Sequence, residues 1–279
     1  METVQSWAIR QQENAGITVL IGPSGLDLST VENRPECNWL LSNSFPEART
    51  GTRQGARRLS LGDVRQLVNA HAYATALGRP LNAHLIVHLV NARGFTAENG
   101  SAWRSHFLDK LHRHLHRTGT PPAYLWVRET AARKGPHLHV LLHLHNWTAQ
   151  RAPLIAYVLR TAFPPEAAAL THPHAPVRIT GGRFGMGTDR MRAGVLRYVC
   201  KGIDPCATYR LRGDGRDQTV IVSDVIGVEP SDAPPLPGQR YGASHSLGPA
   251  ARRAAGWQEM HDLNDLARHL NPPRTKGTR

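Results

Sequence analysis

Five side chains in this sequence are suited by type and spacing to chemistry. His137 and His139 are two residues apart in Gly135-Pro-His-Leu-His-Val-Leu-Leu. Glu129 precedes them in Ala123-Tyr-Leu-Trp-Val-Arg-Glu, and Tyr198 and Lys201 follow in Leu196-Arg-Tyr-Val-Cys-Lys-Gly. Residues two apart on a strand share a face, so His137 and His139 point the same way if 137–144 is extended. The run 123–129 is aromatic and β-branched, as strands are. Residues 131–136 end in Gly-Pro, which punctuates a turn. A hairpin closed there sets Glu129 opposite the start of the second strand. Two imidazoles and a carboxylate with open positions left suit a catalytic divalent ion. The plainer alternative is an ordinary pair of sheet histidines. The chain has 16 histidines, so a His-x-His pair arises easily, as at His112, His114, His116, His143 and His145. The glutamate and the turn favour the ligand reading.

Tyr198 and Lys201 are three apart, on one face of a helix. A phenol can attack a phosphodiester, and a neighbouring ammonium stabilises the developing charge or positions the attacking oxygen. Upstream, Leu81 to Asn91 is an apolar, β-rich run ending in Asn. In this order the three elements resemble the HUH endonucleases: rolling-circle replication initiators, relaxases and related transposases. His137-Leu-His139 matches their His-hydrophobic-His motif. Glu129 stands where several viral and plasmid initiators carry a third metal ligand. Tyr198-Val-Cys-Lys201 matches the Tyr-x-x-Lys motif of single-tyrosine initiators, and Leu85 to Asn91 is similar to their first motif. The resemblance covers about residues 80 to 205. No second tyrosine follows the motif, so nothing supports a paired-tyrosine mechanism.

The resemblance implies a split ferredoxin-like sheet and Mg2+ or Mn2+ on Glu129, His137 and His139. It implies Tyr198 as nucleophile, with Lys201 assisting, and a 5′-phosphotyrosine intermediate. The implied substrate is single-stranded DNA at a replication origin, presented as a hairpin. Without a Walker loop in the sequence, unwinding is expected to fall to a host helicase, with a host polymerase extending the strand. The replicon would be a plasmid or a phage. The motifs do not separate an initiator from a mobilisation relaxase or a transposase. A non-catalytic DNA-binding protein on the same fold is the alternative from another class.

Composition agrees with a polyanionic partner. The formal net charge is +13, and lysine occurs only at 110, 134, 201 and 276. Arginine therefore supplies nearly all the positive charge, and its fork suits phosphates and base edges. GC-rich coding also raises Arg, Ala and Gly, and both causes contribute. The cysteines at 37, 200 and 206 form no paired zinc spacing. Cys200 is read as packing. No apolar run approaches membrane length and no signal segment is evident, so a soluble, cytoplasmic protein with no membrane partner is expected.

The elements that must position these groups can be read in order. Residues 1–58 form a basic, weakly patterned arm. An endonuclease-type domain is expected over 59–226, and a Pro/Gly linker with a C-terminal helix over 227–279. Ser60 is placed to cap a helix ending near Leu77. A second helix over 101–117 buries Trp103, Phe107, Leu111 and Leu115. A third is expected from about 148 to 163, starting a little later if Pro153 sits in its first turn. Tyr157 in that helix is the second-choice nucleophile. The expected fold is α+β, a mainly antiparallel central sheet with helices on one face and the other left for metal and DNA. The turn residues Arg133 and Lys134, Arg183 in the glycine-rich loop 181–187, and Arg190, Arg192 and Arg197 before or beside Tyr198 are the candidate DNA contacts.

Overall fold

The computed structural model describes residues 56–119, 121–131, 135–170, 175–212 and 217–273. Helix α1 spans Leu61–Ala76. Ser60 caps it through a reciprocal pair with Asp63, satisfying two otherwise orphaned backbone N–H groups. Strand β1 is Ala83–His88, and helix α2 is Gly100–Arg117. The hairpin follows as β2, Tyr124–Ala131, and β3, Gly135–Leu142. Helix α3, Trp147–Ala162, begins at an Asn146 cap and holds Pro153 inside rather than in its first turn. Strand β4 is Val177–Gly181, and helix α4 is Asp189–Val199. A separate hairpin pairs β5, Thr208–Arg212, with β6, Asp217–Ile221. Strand β7, Tyr241–Ala243, and helix α5, Leu263–Leu270, complete the named elements.

The central sheet has the order β4-β1-β3-β2-β7, and every neighbouring pair is antiparallel. Alternation divides its side chains between two cores. Leu85, Val87, Leu138, Val140 and Trp126 pack with Phe107, Leu111 and Leu115 of α2 and Leu154 and Val158 of α3. Leu125, Val127 and Leu141 point the other way. They pack with Val64, Leu67 and Val68 of α1, Leu196 and Val199 of α4, and Leu266 of α5. Helices therefore cover both faces, not one. The reason lies in β2 and β3, whose residues are buried on both sides over most of their length. A doubly buried strand needs apolar cover on each face.

The stretch 227–250, expected as linker or coil, instead supplies the edge strand β7. Val127 pairs with Tyr241, Trp126 with Gly242 and Leu125 with Ala243. A Cβ on Gly242 would lie 2.7 Å from the Trp126 ring nitrogen, so only glycine lets this strand approach. Arg252 locks the following segment: its buried guanidinium bonds Glu259, the Leu247 carbonyl and Gln66 of α1. The pairing of Arg65 and Asn69 of α1 with carbonyls of 260–261 adds to the same seam. No helix among the described residues is long and apolar enough to cross a membrane.

His71 of α1 meets His269 of α5, Nδ1 to Nε2, at 2.9 Å. Burial, then the charges of His269 and Arg192, lower the His71 pKa to about 3. A histidine held neutral in the fold but free to protonate when unfolded stabilises the protein above about pH 6.5. That stability is lost as pH falls below 6.5 toward 3. His71 alone is expected to cost about 1.4 kcal/mol per pH unit in that window. Urea midpoints at pH 7, 6 and 5 measure it. His71→Leu should give a visibly shallower decline, and an unchanged slope would show that the ring is not buried neutral.

Candidate active site

Glu129, His137 and His139 converge on one face of the β2–β3 hairpin. The register pairs Glu129 with His137 and Val127 with His139. Being of the same parity, the three side chains share a face, and one ligand atom from each lies within 4.8 Å of the others. Glu129 Oε2 is 3.2 Å from His139 Nε2 and 3.5 Å from His137 Nε2. All three residues are buried.

Helix α4 brings the remaining two residues over this cluster. Thr188 caps it by accepting from the Met191 N–H, and Asp189 in the first turn favours the helix dipole. Ala193, Leu196 and Val199 face the core, which leaves Tyr198 on the flank toward the histidines. The helix then tightens into a 3-10 turn, Cys200–Gly202. In such a turn residues i and i+3 eclipse, so Lys201 stacks beside Tyr198. Lys201 Nζ donates to Tyr198 Oη at 2.8 Å and lies 3.2 Å from Glu129 Oε2. The Tyr198 ring stands edge-on to His139, with centroids 5.6 Å apart. Yet it is 44% exposed, too open for a residue whose role is packing. The phenol oxygen thus faces solvent while an ammonium holds it.

The donor set fits a divalent cation. His137 Nδ1 donates to the Gly135 carbonyl at 3.0 Å. A carbonyl only accepts, so Nδ1 carries a proton, and in a ring with a single proton it is the Nε2 lone pair that faces the Glu129 carboxylate. Two lone-pair groups facing each other in a dry site need a cation between them, a proton or a metal ion. Glu129 Oε1 is also buried and has no hydrogen-bond partner. A buried acceptor left orphaned is costly unless an ion supplies its partner. Burial pushes the Glu129 carboxyl up, but its close contacts with His137 and His139 and the Lys201 ammonium outweigh it. The carboxyl is held well below its usual range, ionised and available as a ligand. Burial lowers the His139 pKa, against the opposing pull of Glu129, which keeps that ring a neutral donor. Burial lowers Lys201 too, but the Glu129 charge and Tyr198 reverse the shift and hold the ammonium protonated.

Other expected residues fall elsewhere. Tyr157 donates its hydroxyl to the Lys110 carbonyl and stacks on His114 at 4.0 Å, partly buried against the core on the opposite sheet face. It does not join the Glu129–His137–His139 cluster. Cys200 is fully buried, and burial with the Glu129 charge pushes its thiol up to about 12. Arg133 and Lys134 lie outside the described residues, and so does the side chain of Arg183. Arg183 belongs to a short helix, Gly182–Gly185, where a glycine-rich loop was expected. Arg190 is exposed on α4. Arg192 is turned inward, bonded to the Met186 carbonyl and Asp189, with its side chain only 12% exposed. Arg197 ties α4 to Asn271, just beyond α5.

Sequence reasoning missed His84. Its Nε2 lies 2.9 Å from His139 Nδ1 in the middle of the site. The signal was present, because His84, Ile86 and His88 alternate along β1. Only the pairing of His84 with Leu141 and Ile86 with His139 shows that these residues lie beside the candidate ligands.

No family model, no curated protein and no solved structure matches the chain.

Proposed function

We propose that this protein is a metal-dependent nickase of single-stranded DNA that works through a tyrosine nucleophile and initiates rolling-circle replication of a plasmid or phage. The observation that carries the reading is the bridging Lys201 ammonium. It joins an exposed phenol to a buried carboxylate–histidine cluster of ligand character. A packed structural tyrosine has no need of this arrangement, and phosphoryl transfer needs each part of it. The net charge of +13 suits a polyanionic substrate.

Glu129, His137 and His139 would hold the ion, Mg2+ or Mn2+. When bound, it would supply Lewis-acid polarisation of a phosphate oxygen. The chain's own residues do the rest. Tyr198 Oη forms a bond to phosphorus and the phosphorus–O3′ bond breaks. The phenol proton passes to water, and the departing 3′-oxygen takes a proton from water. The 5′ side stays on the protein as a phosphotyrosine and the 3′ side leaves as a free hydroxyl. Lys201 stabilises negative charge on the phenol oxygen as its proton departs. The retained phosphodiester energy permits rejoining, and the free 3′-hydroxyl is the group that a host polymerase extends after a host helicase opens the duplex. A mobilisation relaxase or transposase would use the same steps.

The test is a labelled single-stranded DNA library of random sequence, incubated with the full chain and Mn2+ or Mg2+. A denaturing gel should show a protein–DNA adduct that chelation with EDTA abolishes, and peptide mapping should place it on Tyr198. No adduct under either metal would remove the reading.

Salt dependence separates the arginines. Arg190→Ala should reduce the slope of log affinity against log salt by about one phosphate contact. Arg192→Ala should leave that slope nearly unchanged and instead loosen the turn before α4, because its guanidinium is already bonded internally. Filter binding from 50 to 300 mM salt distinguishes the two.

A further inference from the structure

We propose that His84 is a positioning residue of the metal site, fixing the tautomer and orientation of the ligand His139; the proposal rests on the metal reading given above. A neutral histidine presents one lone pair and one N–H. It can bind a cation through Nε2 only if its proton sits on Nδ1, and that N–H then needs an acceptor. In buried metal sites this outer contact sets the ligand ring's geometry and basicity.

Both ligand rings meet the condition through Nδ1. For His137 the acceptor is the backbone carbonyl of Gly135, local to its own strand. For His139 no backbone acceptor is at hand; the only partner of Nδ1 among the described residues is His84 Nε2, 2.9 Å away. His84 comes from a different strand, β1, and reaches His139 because Ile86 is the cross-strand partner of His139 and His84 is two residues along the same face. The two rings lie near parallel, 29° apart, with centroids at 5.1 Å. His84 is 5% exposed and His139 1%, so water has little access to replace either partner. The His84 ring also stands edge-on to Tyr198 at 6.5 Å. It therefore underlies both the ligand and the attacking residue.

When His139 turns its Nε2 lone pair toward a cation, its Nδ1–H donates to His84 Nε2, and His84 carries its own proton on Nδ1. Without a cation the reverse pattern satisfies the same atoms: His139 Nε2–H donates to Glu129 and Nδ1 accepts from His84. On cation binding the shared proton crosses from His84 Nε2 to His139 Nδ1, the His139 Nε2 proton is released to solvent and His84 Nδ1 takes one up from solvent, with no side-chain movement. An apolar residue at 84 would leave His139 Nδ1 without its partner in both patterns, as a bare N–H in the ion-binding tautomer and as a bare lone pair in the other. It would thus weaken ion binding and also lower metal-free stability, whereas an amide at 84 can accept or donate and so serve both patterns.

The experiment is Mn2+ binding to the full chain, read from the free-ion electron paramagnetic resonance signal, for wild type, His84→Leu and His84→Gln. Thermal melts without metal run alongside. The Gln side chain places an acceptor near the imidazole Nε2 position; Leu has none. His84→Leu should bind Mn2+ about 10–100-fold more weakly, the range for lost outer-shell partners. His84→Gln should recover most of that loss, and the metal-free melt should fall in the Leu variant and largely recover in the Gln variant. Wild-type affinity in His84→Leu, or equal losses in the Leu and Gln variants, would overturn the positioning role while leaving the metal site intact. Wild-type protein that takes up no Mn2+ would overturn the metal reading itself, and this proposal with it.

Discussion

Tyr198→Phe protein should form no covalent DNA adduct and should nick single-stranded DNA at no more than background, while binding that DNA with nearly unchanged affinity. In the proposed mechanism the phenol oxygen is the atom that bonds to phosphorus, so the substitution would delete the nucleophile and leave a ring of the same shape. Its effect on folding should be small. Tyr198 is 44% exposed and its hydroxyl bonds only Lys201 among the described residues. Substitutions at such surface positions stay within about 0.5 kcal/mol. The comparison needs three readings on one preparation: adduct on a denaturing gel, DNA affinity and urea midpoint. Full nicking by the Phe protein would sink the tyrosine mechanism outright. Lost nicking together with a collapsed midpoint would point to a structural residue instead.

Glu129→Gln should have the second largest effect, through a different route. The amide keeps the shape of the carboxylate but is uncharged and a much poorer ligand. Loss of an outer partner costs about 10–100-fold in metal affinity, so loss of a ligand should cost about 100-fold or more. Lewis-acid stabilisation is worth several kcal/mol, which converts to a fall in nicking of about a hundred- to a thousandfold. The acid limb of stability gives an independent check. The Glu129 carboxyl is held below its usual range in the fold. Its contribution is therefore present above the unfolded value, about 4.3, and is lost as pH falls through the folded value. The Gln protein should lack that part of the decline at low pH and keep the part due to His71. Retained Mn2+ binding with full nicking in Glu129→Gln would mean that the third ligand lies elsewhere.

Much of the site was legible because local periodicity fixes which residues share a face. His137 and His139 are two apart on a strand, and the register that pairs Ala131 with Gly135 sets Glu129 opposite His137. Tyr198 and Lys201 are three apart, and the helix and the 3-10 turn that follows both keep that spacing on one side. The first two long helices and the antiparallel hairpin followed from caps, stripes and turn residues in the same way. The α+β class, with a five-stranded antiparallel sheet, is observed; its split ferredoxin-like type remains an expectation from the resemblance.

What only the tertiary structure decided concerns which element meets which face. Periodicity gives β1 a face carrying His84, but not that β1 lies beside β3 with His84 against His139. It gives α4 a buried stripe, but not that this stripe seats it over the ligand face rather than the opposite one. Cover on both sides of the sheet follows from burial summed across strands distant in sequence. The Pro- and Gly-rich stretch hid β7, because an edge ladder uses backbone N–H and C=O groups and asks little of side chains. There the demand is for the lack of one: Gly242 fits where any Cβ would strike Trp126. Arg192 looks by type like a phosphate contact, yet its partners, Asp189 and the Met186 carbonyl, are set by how the chain turns into α4. Residue type and spacing determined the chemistry this chain can offer. The long-range packing, which alone chooses neighbours, decided which of those groups face one another.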